Sequence, residues 1–181
     1  MIELTNFIEA MRATSSSTEK VQIIKDASSH IHTILEYTYN PFKQYHVTSK
    51  TCIKNKDKVT KSNYSLFELL DKLTSREYTG HEAIGLINGF NGKLIFKIID
   101  KDLGIRAGDS IINKAVPGLI PTFKVALAKE YDNKCDWNDE WYASRKLDGV
   151  RCLAVVDVEG KCTLYSRMGK EFTTLNKVKE A

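Results

Sequence analysis

Apolar residues recur at helical spacing along the front of the chain and gather into strand-like runs near its end. Leu4, Phe7, Ile8 and Met11 fall at i, i+3, i+4 and i+7, which predicts an amphipathic helix with one buried stripe. Ser16-Ser17-Thr18-Glu19 has the form of a capping box, so a second helix is expected from there to about Lys25. Ile31, Ile34 and Leu35 carry a third, which must stop near Asn40 because Pro41 disfavours helical geometry in the residue before it. Ser65 and Glu68 form another capping box ahead of the stripe Leu66, Leu69, Leu70 and Leu73. Thr79 and Glu82 repeat that signal before Ala83, Ile87 and Phe90; Gly89 and Gly92 punctuate, and Leu94, Ile95, Ile98 and Ile99 predict a further helix. No strand alternation interrupts this part, so helices packed on helices are expected, with the apolar stripes as their core.

Pro117, Gly118 and Pro121 mark the end of the helical part. Phe123 to Asp132 looks like a connector, and Asn133 to Glu140 is a polar stretch suited to a boundary. From Trp141 the period becomes that of strands. Trp141 to Ala143 and Val150 to Val158 flank Asp148-Gly149, which predicts a tight turn between two strands. A second hairpin is expected around Glu159-Gly160, between Val155-Val156-Asp157-Val158 and Lys161-Cys162-Thr163-Leu164-Tyr165. The chain thus divides into a helical part, 1–122, a connector, 123–140, and a strand-bearing part, 141–181: an α+β organisation.

Composition narrows the class. At 181 residues and 42% hydrophobic, the chain is long enough for one ordinary domain and part of another, with a true core. No apolar run approaches the roughly 18 residues a membrane span needs, and Met1-Ile2-Glu3-Leu4 lacks a secretory pattern. Cys52, Cys135, Cys152 and Cys162 are scattered, and His30, His32, His46 and His81 show no ligand spacing, so neither a zinc site nor a disulfide framework is indicated. A reducing, intracellular setting follows. The net charge of +4 lies wholly in the front: 19 Lys+Arg against 15 Asp+Glu from Met1 to Cys135, 8 against 8 thereafter. Within the front, Lys50, Lys54, Lys56, Lys58 and Lys61 crowd a loop with only Asp57 to offset them. That loop suits a phosphate backbone, and is equally compatible with a solvated, mobile lysine run.

Two stretches carry chemistry. Lys146-Leu147-Asp148-Gly149-Val150-Arg151 puts a lysine at the end of one strand beside a turn. A lysine attacks phosphorus only as the neutral amine, so its ammonium form must be disfavoured by burial or by neighbouring positive charge. Arg145, Arg151 and a divalent metal would supply that charge, and an arginine can grip phosphate or ribose oxygens. Gly149 permits close backbone approach. The hexapeptide alone is equally compatible with a surface hairpin carrying incidental basic residues. The second stretch is Asp102-Leu103-Gly104-Ile105-Arg106-Ala107-Gly108-Asp109-Ser110. Its glycines flank Arg106 just before an expected helix start, where N–H groups and a cation converge on a place for a phosphate. A plain helix-to-helix turn with an aspartate N-cap is the simpler alternative.

Spacing then adds a resemblance. Lys-x-Asp-Gly-x-Arg at 146–151, two strands, and Ser166-Arg167-Met168-Gly169 together resemble motifs I and Ia of the covalent nucleotidyltransferases, in particular ATP-dependent DNA ligases of the T-even phage type. The series Thr74-Ser75-Arg76-Glu77-Tyr78-Thr79-Gly80, then Asp102 to Gly108, then Asn113-Lys114-Ala115-Val116-Pro117-Gly118-Leu119-Ile120-Pro121 is similar to the helical DNA-binding domain of phage-type and cellular ATP ligases. The resemblance implies an all-α DNA-binding domain followed by the first β-hairpins of an adenylation domain of the nucleotidyltransferase (ATP-grasp-like ligase) kind. It implies that Lys146 takes AMP from ATP as a phosphoramide and that Arg151, with Arg145, holds the nucleotide. Asp148 and Gly149 would shape the turn, and Ser144 stands where several members carry a longer acceptor for the adenine amino group, leaving strand backbone to read the adenine edge. Arg167 would meet the 5′-phosphate at the nick, while Arg106, Gly108 and Lys114 would contact the duplex backbone.

ATP and Mg²⁺ are the implied cofactors and nicked duplex DNA the implied partner, for a monomer in the cytoplasm, on the nucleoid or in a phage-infected host, serving DNA replication, repair and recombination. Only 35 residues follow Lys146, and the family's later motifs are absent. The expectation is therefore the front portion of a ligase (an incomplete gene model, a split gene or a truncated relic) that labels weakly or not at all by itself. A catalytically silent DNA-binding module is the alternative from a different class. RNA ligases and capping guanylyltransferases share the lysine motif but not the helical front, and NAD-dependent ligases carry an upstream nicotinamide segment not found here.

Overall fold

The computed structural model describes residues 2–90, 93–123, 138, 140, 142, 145 and 148–179. They form two compact units, Met1–Pro121 and Thr122–Ala181. The first contains, among the described residues, eight helices and no strand: α1 (Ile2–Ala13), α2 (Ser17–Lys25), α3 (Ser29–Tyr39), α4 (Ser49–Lys54), α5 (Leu66–Thr74), α6 (Gly80–Gly89), α7 (Leu94–Ile99) and α8 (Asp109–Ala115). The stripes found by periodicity are the core. Met11, Leu35, Leu69, Leu70, Leu73, Ile87 and Ile98 are all fully buried, and each such side chain stabilises the fold by about 1.5–3 kcal/mol relative to exposure.

Helix starts test the capping signals one by one. At α5 the box is complete: the Glu68 N–H donates to Ser65 Oγ and the Ser65 N–H donates to the Glu68 carboxylate. At α2 only half forms. Ser16 Oγ accepts from the Glu19 N–H, but the Glu19 carboxylate takes the Thr14 hydroxyl instead, and the Ser16 N–H donates to Thr14 Oγ1 at 3.0 Å. At α6 Thr79 occupies the N-cap without a side-chain bond. Gly80, the first helical residue, is left-handed at φ +55, so the first turn departs from the geometry a threonine cap needs.

The basic stretch is not all loop. Ser49–Lys54 forms α4, capped by Thr48 Oγ1 on the Thr51 N–H. Pattern alone missed it because a single residue, Cys52, is buried in it. Its stability comes from tertiary partners: Asp100 accepts from the Ser49 N–H at 2.8 Å and from the Ser49 hydroxyl.

The unit also holds a half-buried cation. Lys101 Nζ donates to the carbonyl of Asn40, the C-cap of α3, at 2.8 Å and lies 4.9 Å from the centre of the Tyr45 ring. Burial pulls its pKa from 10.5 to about 8, with Glu36 opposing and Lys43 adding to the drop. Between those values the unfolded chain binds more protons than the folded one, so this group makes stability rise with pH from about 8 to 10.5. Cys52, pushed up to about 11 by burial and then by Asp100, acts in the opposite sense. Subtracting a Lys101→Met variant removes such background. Urea unfolding of the two proteins at several pH values should show the wild-type-minus-variant difference climbing across that window, and a flat difference would refute the assignment.

In the second unit β1 (Cys152–Val156) and β2 (Cys162–Ser166) pair antiparallel, with Leu153 opposite Tyr165 and Val155 opposite Thr163. The turn between them matches the hairpin expected at Glu159-Gly160. Asp157 Oδ1 accepts from the N–H groups of Glu159 and Lys161 at 3.0 and 2.8 Å, and Gly160 is left-handed at φ +83. A two-stranded hairpin is marginal in water. Here Tyr165 bridges to Glu171, the Phe172 N–H donates to the Leu164 carbonyl at 2.8 Å, and Leu164 is fully buried. A short helix, α9 (Asn176–Lys179), follows. A helical unit and a second unit with a small antiparallel sheet make up the α+β organisation expected.

The first hairpin is different. Trp141 and Ala143 lie outside the described residues, and Tyr142 is exposed and outside any strand. Gly149 sits at a bend and does not adopt the positive φ that the glycine of a type I′ Asp-Gly hairpin turn requires. The strand begins only at Cys152 rather than Val150.

Candidate functional site

The turn before α8 is built from the inside. Lys20 on α2 is 5% exposed, and its ammonium donates to the carbonyls of Arg106 at 2.8 Å and Ile105 at 3.3 Å. Arg12 on α1 donates from Nε to the Gly104 carbonyl at 2.9 Å. Three successive carbonyls are thus drawn toward cations, and Ile105 is buried beneath them. Gly104 is left-handed at φ +70, a conformation that favours glycine, and a Cβ there would come 2.4 Å from Arg12 Nη2 and push that side chain aside.

The outer side of the same turn is available. Arg106 is exposed at φ +51, and no hydrogen bond to a described residue occupies the N–H groups of Arg106, Ala107 or Gly108. Gly108, and not Asp109, is the N-cap of α8; the Asp109 carboxylate instead accepts from the Ser110 N–H at 2.8 Å. A Cβ on Gly108 would meet nothing within 4 Å, so internal packing does not dictate its lack of a side chain. Lys114 is exposed in the last turn of the same helix. Arg106 and Gly108 therefore share one surface turn, with Lys114 on the helix it opens. What the sequence did not signal is the support: Lys20 and Arg12 lie 86 and 92 residues from their partners, beyond any local pattern.

In the second unit, Lys146 and Ser144 lie outside the described residues. Arg145, Asp148, Gly149 and Arg151 are exposed. The register orders the rest. Cys152 opposite Ser166 is the end rung of the sheet; Arg151 immediately precedes the one and Arg167 immediately follows the other. Both arginines leave the sheet at the end opposite the Asp157–Gly160 turn, where facing strands stand about 5 Å apart.

Arg167 occupies the tip of a second tight turn. The Gly169 N–H donates to the Ser166 carbonyl at 2.9 Å, the Ser166 N–H to the Lys170 carbonyl at 2.8 Å, and the Lys170 N–H to Ser166 Oγ at 3.1 Å. Gly169 is left-handed at φ +78, and a Cβ there would lie 2.5 Å from Phe123 Cγ. The Phe123 ring in turn packs against Tyr165, centroids 5.9 Å apart. Serine and glycine of the Ser-Arg-x-Gly stretch thus build the turn, and the arginine is what it displays.

Among the described residues no three acidic, histidine or cysteine side chains converge to hold a metal ion, and no helix is long and apolar enough to cross a membrane. Among the described residues Cys52, Cys152 and Cys162 are unbridged; Cys135 lies outside them.

No family model matches the chain. It is similar to the DNA ligases of Enterobacteria phages T4 and T6, 28% identical to each over 199 residues, which cover 99% of this chain and 40% of each relative. The fold is that of two solved structures, Pmar-Lig_PreS3 (TM-score 0.67, 21% identical) and Pmar-Lig_Pre. (TM-score 0.69, 24% identical), each matched over 98% of this chain and 45% of the other. The likeness to T-even phage ligases first suggested by a few motifs therefore runs along nearly the whole sequence, and the chain spans less than half the length of the relatives it matches.

Proposed function

We propose that this chain supplies the duplex-gripping and nucleotide-accepting parts of an ATP-dependent DNA ligase. The observation that carries the reading is the hairpin register, which sets Arg151 of Lys-x-Asp-Gly-x-Arg and Arg167 of Ser-Arg-x-Gly at one end of one sheet. Likeness to phage DNA ligases over 99% of the chain supports it.

In this reading the neutral Lys146 amine forms a nitrogen–phosphorus bond to the α-phosphorus of ATP as the α–β bridging bond breaks; pyrophosphate departs and the amine proton passes to solvent. Arg151 and Arg145 hold the nucleotide and, as fixed positive charges, disfavour the ammonium form of the lysine. Asp148 and Gly149 shape the approach, and backbone near Ser144 reads the adenine edge. A 5′-phosphate oxygen at the nick, held by Arg167, then displaces the lysine nitrogen and receives AMP. The 3′-hydroxyl attacks that 5′-phosphorus, expels AMP and closes the backbone. Mg²⁺ belongs to this reading by resemblance alone. The described residues do not assemble a site for it.

Arg106, Gly108 and Lys114 form the duplex contact: N–H groups and a cation on the outer side of a turn, where a phosphate oxygen can dock. The natural substrate is nicked duplex DNA, bound by one copy of the chain in the cytoplasm of a bacterium or infected host during replication, repair or recombination. A second reading, a DNA-binding module without catalysis, is favoured by the self-contained core of Met1–Pro121.

Incubation with α-labelled ATP and Mg²⁺, alongside nick binding by fluorescence anisotropy, separates the two. Label, however weak, that survives denaturation and vanishes in Lys146→Ala, with nick binding weakened in Arg106→Ala, is the outcome expected of a ligase's front portion. No label with intact nick binding overturns the catalytic half and leaves the module.

A further inference from the structure

We propose that α4 and the segment after it, residues 49–61, form a second phosphate-gripping surface for duplex DNA, held in shape by α6. This rests on the duplex-binding reading above and extends it to a face built from different elements. Lys50, Lys54, Lys56, Lys58 and Lys61 are all exposed, with Asp57 the one acid among them. Among the described residues Lys50, Lys54, Lys56 and Lys61 enter no ion pair, and Lys58 Nζ lies 2.6 Å from His81 Nδ1 rather than on a carboxylate.

The backbone beneath these lysines is clamped. Asn88 on α6 places its amide nitrogen 3.2, 3.0 and 3.1 Å from the carbonyl oxygens of Cys52, Asn55 and Lys58, so one side chain holds the C-terminal end of α4 and the turn beyond it. The Thr60 N–H donates to the Gly85 carbonyl at 2.8 Å. Gly85 and Gly89 let the segment lie directly on α6, since a Cβ on Gly89 would come within 2.1 Å of the Thr60 carbonyl oxygen. Cys52, fully buried, anchors α4 from below.

A solvated lysine run needs no such support. A polyanion-binding surface gains from it, because a segment already ordered loses little backbone freedom at the moment of binding. A regular, dense line of negative charge is what closely spaced, exposed ammonium groups on a held backbone complement, and a phosphate backbone offers about one charge per 1.7 Å of duplex. Such contacts read neither base nor nick.

The 181-residue chain is compared with a Lys54→Ala/Lys56→Ala/Lys61→Ala variant by anisotropy on nicked and intact duplexes of the same sequence, from about 50 to 200 mM salt. The variant is expected to bind on the order of tenfold or more weakly at the low-salt end, equally on both duplexes, with a salt slope shallower by up to about 0.9 for each phosphate no longer neutralised. Asn88→Ala keeps every lysine and releases the clamp; it too should lose affinity, which a long-range charge effect alone would not produce. If the triple variant keeps wild-type affinity and slope while Arg106→Ala weakens binding, this inference falls and the duplex-binding reading stands, leaving the face to an acidic protein. A wild-type chain that binds neither duplex overturns both.

Discussion

Lys20→Met should lower the stability of the helical unit by about 3 kcal/mol and weaken nick binding at least as much as Arg106→Ala does. Methionine keeps most of the buried volume, so little of the loss is packing. What disappears is an ammonium donating to two carbonyls, at 2.8 Å to Arg106 and 3.3 Å to Ile105. Hydrogen bonds to a charged group contribute about 1.5–3 kcal/mol each, and a buried acceptor left without a donor costs about 1–3 kcal/mol. Methionine also spares the cost of burying a charge, which keeps the total near the lower end of the summed range. Arg12→Gln, which removes an exposed contact to Gly104, should cost less than about 1 kcal/mol by comparison. Urea midpoints read the stability and anisotropy on a nicked duplex reads the turn. A Lys20→Met protein within about 1 kcal/mol of wild type would mean the clamp does not hold the turn.

The contrast between Lys20 and Leu69 explains what the sequence could and could not disclose. Leu69 is one member of a periodic stripe whose burial follows from its neighbours at i+1 and i+4, and the Ser65–Glu68 box before it is complete. Helix existence and the core face were legible wherever such repetition occurred. Lys20 sits on a helix as an ordinary polar residue, and its partners lie across the fold. The same holds for Asn88 and for α4, a six-residue helix with one buried side chain whose two ends are fixed by Asp100 and Asn88. Cap signals read correctly only where the flanking residue allowed it: Gly80 disables Thr79, and Thr14 diverts Glu19.

In the strand-bearing unit, Glu159-Gly160 announced a turn that forms, with Asp157 supplying the acceptor that local chemistry favours. Asp148-Gly149 announced one equally well, yet Gly149 does not take the left-handed backbone. Glycine at Gly169 is fixed by the fold, through its φ and the Phe123 ring, whereas Gly108 and Gly149 meet nothing within 4 Å. Glycines that the fold does not itself require, at two positions assigned to ligand contact, accord with the proposed approach of a phosphate and a nucleotide to the backbone.

Gly89→Ala should destabilise the helical unit by about 2 kcal/mol, although helix propensity by itself favours alanine over glycine by about 1 kcal/mol. The sign is decided by what the added methyl group meets. Its position lies 2.1 Å from the Thr60 carbonyl oxygen and 2.8 Å from the carbonyl carbon, and this is backbone, with no rotamer to move aside. Thr60 cannot retreat without lengthening its 2.8 Å bond to the Gly85 carbonyl. Lifting the segment also draws the Lys58 carbonyl off the Asn88 amide. Overpacking of this kind costs about 1–3 kcal/mol, and each carbonyl freed adds to it. Because the strain falls on residues 55–61, the variant should lose duplex affinity as Asn88→Ala does, while leaving the Lys20 clamp and its turn intact. Thermal unfolding together with the salt dependence of duplex binding checks both parts; a Gly89→Ala protein more stable than wild type would show that the lysine segment does not rest on α6.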